Sequence, residues 1–140
     1  MIRRARKEDM ESIYSLLCDL EEKILDKNKF TKIFLTYLRS NHRRLLVFEN
    51  SGEVIGVLNL RMEYQLHHCV KIAEIMEFCI KKEFRSKGIG RTLFRAACQQ
   101  AKNDGCLQIE VCCNQLRTKA HHFYQREGMH KFHYKFSMNL

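Results

Sequence analysis

A chain of 140 residues, 45% hydrophobic, is long enough for one core and too short to need a second. No apolar run approaches the length of a membrane-spanning helix, and the charged start MIRRARKEDMESI lacks the apolar stretch of a secretion signal, so the chain reads as one cytoplasmic domain over 1–140. The formal charge of +9 is scattered from Arg3 to Lys135 without a dense basic block, which argues against a nucleic-acid module and leaves a general attraction for polyanions.

In chain order, MIRRA predicts a short first strand. Asp9 is placed to cap a helix in which Ile13, Leu16, Leu17, Leu20 and Ile24 recur at helical spacing. A second helix carries Phe30, Ile33, Phe34, Tyr37 and Leu38 on one face. RRLLVFE and VIGVLNLRMEY read as strands joined by a hairpin at Asn50-Ser51-Gly52. VKIAEIMEFCI is the next strand, followed by the loop KKEFRSKGIG and a helix from Arg91 to Asp104 that Gly105 ends. LQIEVCC predicts a strand, TKAHHFYQRE a short helix closed by Gly128, and the alternation in HKFHYKFSM a last strand. The order β-α-α-β-β-β-α-β-α-β is an α/β sandwich with a mixed sheet. The unit from Val70 to Cys113 can form a right-handed parallel crossover.

The seven cysteines are odd in number and contain no C-x-x-C pair, so neither a zinc ribbon nor a disulfide framework is expected. Most lie in apolar segments, where a reduced Cys packs as a small hydrophobe.

The loop Arg85-Ser86-Lys87-Gly88-Ile89-Gly90 places two glycines and cations between a strand and a helix. The first amides of a helix have no intrahelical acceptor and its dipole is positive there. Glycine admits close approach of an anion. The combination is either a turn or a phosphate seat. Its glycine spacing is neither that of a dinucleotide-binding strand–helix turn nor that of a nucleoside-triphosphate loop.

A [QR]-x-x-G-x-[GA] loop in this setting resembles the acetyl-CoA pyrophosphate motif of the GNAT N-acetyltransferases. IMEFCIKKEFRSKGIGRTLF resembles that family's central motif and NQLRTKAHHFYQREGM its later one, and the likeness runs over the whole chain. LHHCVKIAEIMEF, NQLRTKAHHFYQREG and the ending FHYKFSMNL carry a closer likeness to aminoalkylphosphonate N-acetyltransferases. The resemblance implies a GNAT-like acyl-CoA N-acyltransferase fold, with a mixed, mostly antiparallel sheet flanked by helices, and acetyl-CoA as cosubstrate. Ser86 departs from the second glycine common in relatives.

By the same resemblance, the cofactor lies on Arg85, Ser86, Lys87, Gly88, Ile89, Gly90 and Arg91, and on Asn114. Its pantetheine pairs as a pseudo-strand with Phe78-Cys79-Ile80. A backbone N–H near Phe78 would stabilise the oxyanion. Glu77 resembles the general base, with Glu74 the runner-up, and Tyr124 the group beside the cofactor sulfur. In an unbroken strand Ile72, Glu74, Met76, Phe78 and Ile80 share one face and Ala73, Ile75, Glu77 and Cys79 the other, so the two carboxylates are expected on opposite faces. Lys71 or Arg61 is placed to pair with either of them. If the acceptor is a phosphonate, Arg61, His67 and Arg117 are candidate anion contacts, with Glu74 bordering the same pocket.

Four chemistries stay open: acetylation of a small primary amine such as an aminoalkylphosphonate, acetylation of a polyamine, amino acid or protein amine, acyl-CoA binding without catalysis, and nucleic-acid binding as the weakest. Neighbouring His67 and His68 point to opposite faces of a strand and do not jointly specify a metal, so no metal ligand is assigned and a divalent-metal requirement stays open. The oligomeric state is open too, with a homodimer among the allowed states.

Overall fold

A computed structural model describes residues 1–140. Strand β1 (Ile2–Arg4) leads through a 3-10 turn (Lys7–Asp9) into α1 (Met10–Glu21) and α2 (Lys27–Arg39). Strands β2 (Arg43–Asn50), β3 (Glu53–Gln65) and β4 (Val70–Ile80) follow, then α3 (Ile89–Asn103), β5 (Gln108–Val111) and α4 (Thr118–Arg126). The sheet runs β1-β2-β3-β4-β5, antiparallel except between β4 and β5, which α3 joins as a parallel crossover. The expected fold class is present.

Helices cover both faces. On one, α3 lays Leu93, Phe94 and Ala97 over Leu58, Leu60 and Ile75, all buried. On the other, Ile13 and Leu16 of α1 and Phe34 of α2 meet Val47, Val57 and Cys79. Both faces of the central strands are therefore apolar, so β3 reads as a nearly continuous buried run rather than an alternation.

Several local expectations are corrected. Asp9 opens α1 but caps none of its amides. Its carboxylate accepts two hydrogen bonds from Arg3 (2.7 and 2.9 Å) and one from the Arg6 amide (2.6 Å). Ile24 lies beyond α1 and is exposed, because the chain turns at Glu22 in a left-handed conformation. Cys112 and Cys113 are not strand, since β5 stops where it parts from β4. The segment 130–138 forms no strand, because no strand lies beside it to accept its backbone groups.

The correction with most consequence lies inside β4. Its register against β3 runs Leu58↔Phe78, Asn59↔Glu77 and then Leu60↔Ile75, leaving Met76 without a partner. This bulge inserts one residue and reverses the side-chain alternation beyond it. Glu74 and Glu77, paired with Arg61 and Asn59, therefore lie on one face of the sheet, not on opposite faces. Phe78 joins Ile75 on the α3 side.

Candidate active site

The parallel ladder between β4 and β5 ends at Ile75↔Val111. From Met76 onward β4 has no neighbour on that side, and β5 gives way to Cys112, Cys113 and Asn114. The bulge sits at the parting point and turns the end of β4 away. The gap opens as a cleft of about 1330 Å³ walled by the end of β4, the loop before α3, α4, and Leu20 and Glu21 at the end of α1.

Arg85, Ser86, Gly88, Gly90 and Arg91 line this cleft, while Lys87 and Ile89 flank it without lining it. Every amide from Ser86 to Arg91 lacks a backbone acceptor. Gly88 precedes α3 at φ 80, with open space where a Cβ would stand. Ser86 adopts φ 60, the left-handed conformation that glycine takes freely. A row of unpaired amides at a helix start, facing a cleft with basic walls, fits the diphosphate of an acyl-CoA. The exposed Arg85 side chain donates from Nε to the Ile80 carbonyl (2.8 Å) and so ties the loop to β4. Arg91 pairs with Glu127 (3.0 Å), which also holds Arg95 (3.2 Å) and joins α3 to α4.

Phe78 and Ile80 line the cleft along the unpaired side of β4. Cys79 does not. It is buried on the opposite face against α1, where only its backbone can serve a ligand. Asn114 borders the cleft, and its side chain accepts from the Leu116 amide (2.9 Å) while its carbonyl accepts from the Arg117 amide (3.0 Å), shaping the turn into α4.

Glu77 lines the cleft and accepts a hydrogen bond from Asn59 Nδ2 (2.6 Å). Asn59 is 1% exposed and its Oδ1 has no partner. A buried amide of this kind is costly unless its hydrogen bonds are used. Its one bond fixes the Glu77 carboxylate. Glu74, the alternative base, is tied to Arg61 and lies outside the cleft. The ion-pair reading therefore holds for Glu74 and not for Glu77.

Tyr124 lines the cleft, packed against Phe94 and Phe123, and its hydroxyl has no hydrogen-bond partner within the chain. Burial pushes its pKa up to about 12, so it stays a neutral donor. Burial also pushes the neighbouring Cys113 thiol up.

Of the three candidate anion contacts, only Arg117 reaches the cleft, where its guanidinium also donates to the Leu20 carbonyl (3.1 Å). Arg61 is engaged by Glu74 and Glu63. His67 is exposed in the β3–β4 turn, its ring tilted against that of His68. Asn59, Leu20, Glu21 and Glu127 were not anticipated. The one signal for Asn59 was a lone polar residue inside the apolar run VIGVLNL.

Residues 10–129 match the acetyltransferase (GNAT) family. The chain is 34% identical over 139 residues to an aminoalkylphosphonate N-acetyltransferase of Salmonella typhimurium, covering 99% of this chain and 90% of that protein. A transcriptional regulator from Bacillus halodurans shares the fold with a TM-score of 0.92 at 24% identity, over 100% of this chain and 99% of that one. The enzyme AAC(6')-Iy, solved with a bisubstrate analogue built on CoA, superposes with a TM-score of 0.88 at 17% identity, over 100% and 97% of the two chains.

Proposed function

The chain belongs to the acetyltransferase (GNAT) family and is an acetyl-CoA-dependent N-acetyltransferase, and we propose that its acceptor is the primary amine of a short aminoalkylphosphonate. The likeness of 34% over almost the whole length of a relative with that activity carries the acceptor class. Arg117 in the cleft supports it, because a guanidinium suits a tetrahedral oxyanion. Glu77, held by Asn59 in the same cleft, supports direct transfer.

Bound acetyl-CoA supplies the thioester carbonyl that the amine attacks. The amides of Ser86 to Arg91 grip its diphosphate, and the open side of β4 from Met76 to Ile80 offers backbone groups to the pantetheine. Glu77 takes the proton that the ammonium must lose, directly or through one water. A backbone N–H near Phe78 receives the negative charge that grows on the carbonyl oxygen. As the nitrogen–carbon bond forms and the carbon–sulfur bond breaks, the Tyr124 hydroxyl donates a hydrogen bond to the departing sulfur. Both substrates are bound together, and no residue is acylated.

Thiol release measured with acetyl-CoA against a panel of amines tests the acceptor. The panel holds aminomethyl- and aminoethylphosphonate, a polyamine, free amino acids and a peptide amine. The expected result is the highest kcat/KM for a phosphonate. A higher value for another amine overturns the phosphonate assignment. Acetyl-CoA binding without thiol release on any amine overturns catalysis.

A further inference from the structure

Glu127 directly follows α4, and its side chain is 8% exposed. Its Oε1 lies 3.0 Å from Arg91 Nε and its Oε2 3.2 Å from Arg95 Nε. The two arginine side chains are 58% and 61% exposed, and neither has another acceptor in the chain. Each guanidinium therefore uses Nε on Glu127 and leaves both Nη groups free. The backbone under the carboxylate is fixed by three successive amides: Glu127 donates to Phe123 (3.1 Å), Gly128 to Gln125 (3.0 Å) and Met129 to Tyr124 (3.0 Å).

Arg91 and Arg95 share one face of α3, where like charges one turn apart repel. Exposed arginines need no carboxylate to be stable in water, whereas a carboxylate held out of water is costly unless paired. The arrangement orients the cations rather than hiding them. With two cations to one anion, the group stays net positive.

Arg91 closes the row of unpaired amides and lines the cleft together with Glu127. Arg95 stands about 6 Å further along the helix axis, just outside the cleft wall. A coenzyme A thioester carries a diphosphate and, beyond it, a phosphate monoester on the ribose. One oriented guanidinium beside the amides and a second one turn on match those two groups in order. Arg126 also borders the cleft, but nothing in the chain holds it, so it loses more side-chain freedom on binding than Arg95 does.

We propose that Glu127 is a positioning residue that holds Arg91 toward the diphosphate and Arg95 toward the ribose phosphate of the cosubstrate. Arg95 then lets the chain distinguish coenzyme A thioesters from those without that phosphate. The inference rests on the cosubstrate seat proposed above.

Isothermal titration with coenzyme A and with dephospho-coenzyme A, which lacks only the ribose phosphate, tests it. The parent chain should bind coenzyme A roughly tenfold or more tighter than the dephospho form. Arg95→Gln should bring that ratio close to one by weakening coenzyme A alone. Glu127→Gln should lower the ratio too and, because it also frees Arg91, weaken both ligands. Arg95 is exposed, so its variant keeps the test open if Glu127→Gln does not fold. A ratio near one in the parent, a ratio unchanged by Arg95→Gln, or a ratio abolished by Arg126→Gln instead overturns the assignment of Arg95. A Glu127→Gln chain that melts earlier but binds both ligands as the parent does reduces Glu127 to a link between α3 and α4 and overturns its positioning role. Loss of binding in Gly88→Val with the ratio intact in Arg95→Gln sinks this inference and leaves the seat standing, while no binding of either ligand by the parent sinks both.

Discussion

Glu77 is held by a residue that water does not reach. Asn59 Nδ2 donates to its carboxylate at 2.6 Å from a position 1% exposed. Glu77→Gln should slow turnover by roughly 10²–10⁴-fold, the range for losing general base help. That loss should shrink at high pH, where more of the amine is already neutral. Asn59→Ala should lower kcat about tenfold with KM for acetyl-CoA constant, since it frees the carboxylate and leaves the cofactor seat intact. Steady-state kinetics checks both, and an Asn59→Ala enzyme with full kcat would reduce Asn59 to packing. Tyr124 is read differently. Moving a proton from a phenol at about 12 to a thiolate near 8.5 is uphill by roughly 5 kcal/mol. The contribution proposed for it is then a hydrogen bond to the charged sulfur, worth about 1.5–3 kcal/mol. Tyr124→Phe should lower kcat by roughly 10–100-fold with KM for acetyl-CoA and the melting temperature nearly unchanged. Glu77 and Tyr124 were marked in the sequence by resemblance, and both line the cleft. Asn59 was not, because its value depends on lying across the ladder from Glu77 in a bulged register.

Two elements carry the next predictions. The loop before α3 needs Gly88 at φ 80, a conformation that costs other residues about 1–2 kcal/mol. A side chain there would also stand in the open space over the unpaired amides. Gly88→Val should therefore abolish most of the rise in melting temperature that acetyl-CoA produces by binding the folded state, while the circular dichroism spectrum stays native. At the other end of the chain, Arg3 holds Asp9 (2.7 Å) and Glu49 (2.7 Å), tying β1 and β2 to the start of α1. The hydrogen bonds from Arg3 hold the Asp9 carboxyl below the usual carboxylate range. A group with a depressed folded-state pKa contributes stability that is full above its ordinary value, near 4, and is lost as pH falls through the folded value. Asp9→Asn should cost about 1.5–3 kcal/mol at neutral pH, because it removes one of the two carboxylates that hold the Arg3 guanidinium and leaves it only Glu49. Melting curves between pH 6 and 3 should show a shallower acid loss in the variant than in the parent.

At the scale of the whole molecule, the net charge of +9 favours an anionic cosubstrate, and the cleft proposed to hold it is bordered by Arg85, Arg91, Arg117, Lys119 and Arg126. Raising ionic strength from about 0.05 to 0.5 M shortens the screening length severalfold. KM for acetyl-CoA should rise with salt while kcat holds. A flat KM would mean that the amides of the loop, not the field, set affinity. The order of elements up to α4, the hairpin at Ser51-Gly52, the glycine stop at Gly105 and the glycine loop before α3 were legible because each rests on local chemistry: apolar period, turn residues, helix ends. The sequence by itself determined the family, the sheet and helix inventory, and the residue types at the cleft. Only the tertiary structure decided which faces those residues take. One unpaired residue, Met76, reverses the alternation of β4, and nothing in the local pattern of IAEIMEFCI marks it, since a bulge exists only in the pairing with β3. The tail obeys the same physics. HKFHYKFSM carries the alternation of a strand, but a strand needs a partner edge, and the tertiary structure lays none beside it.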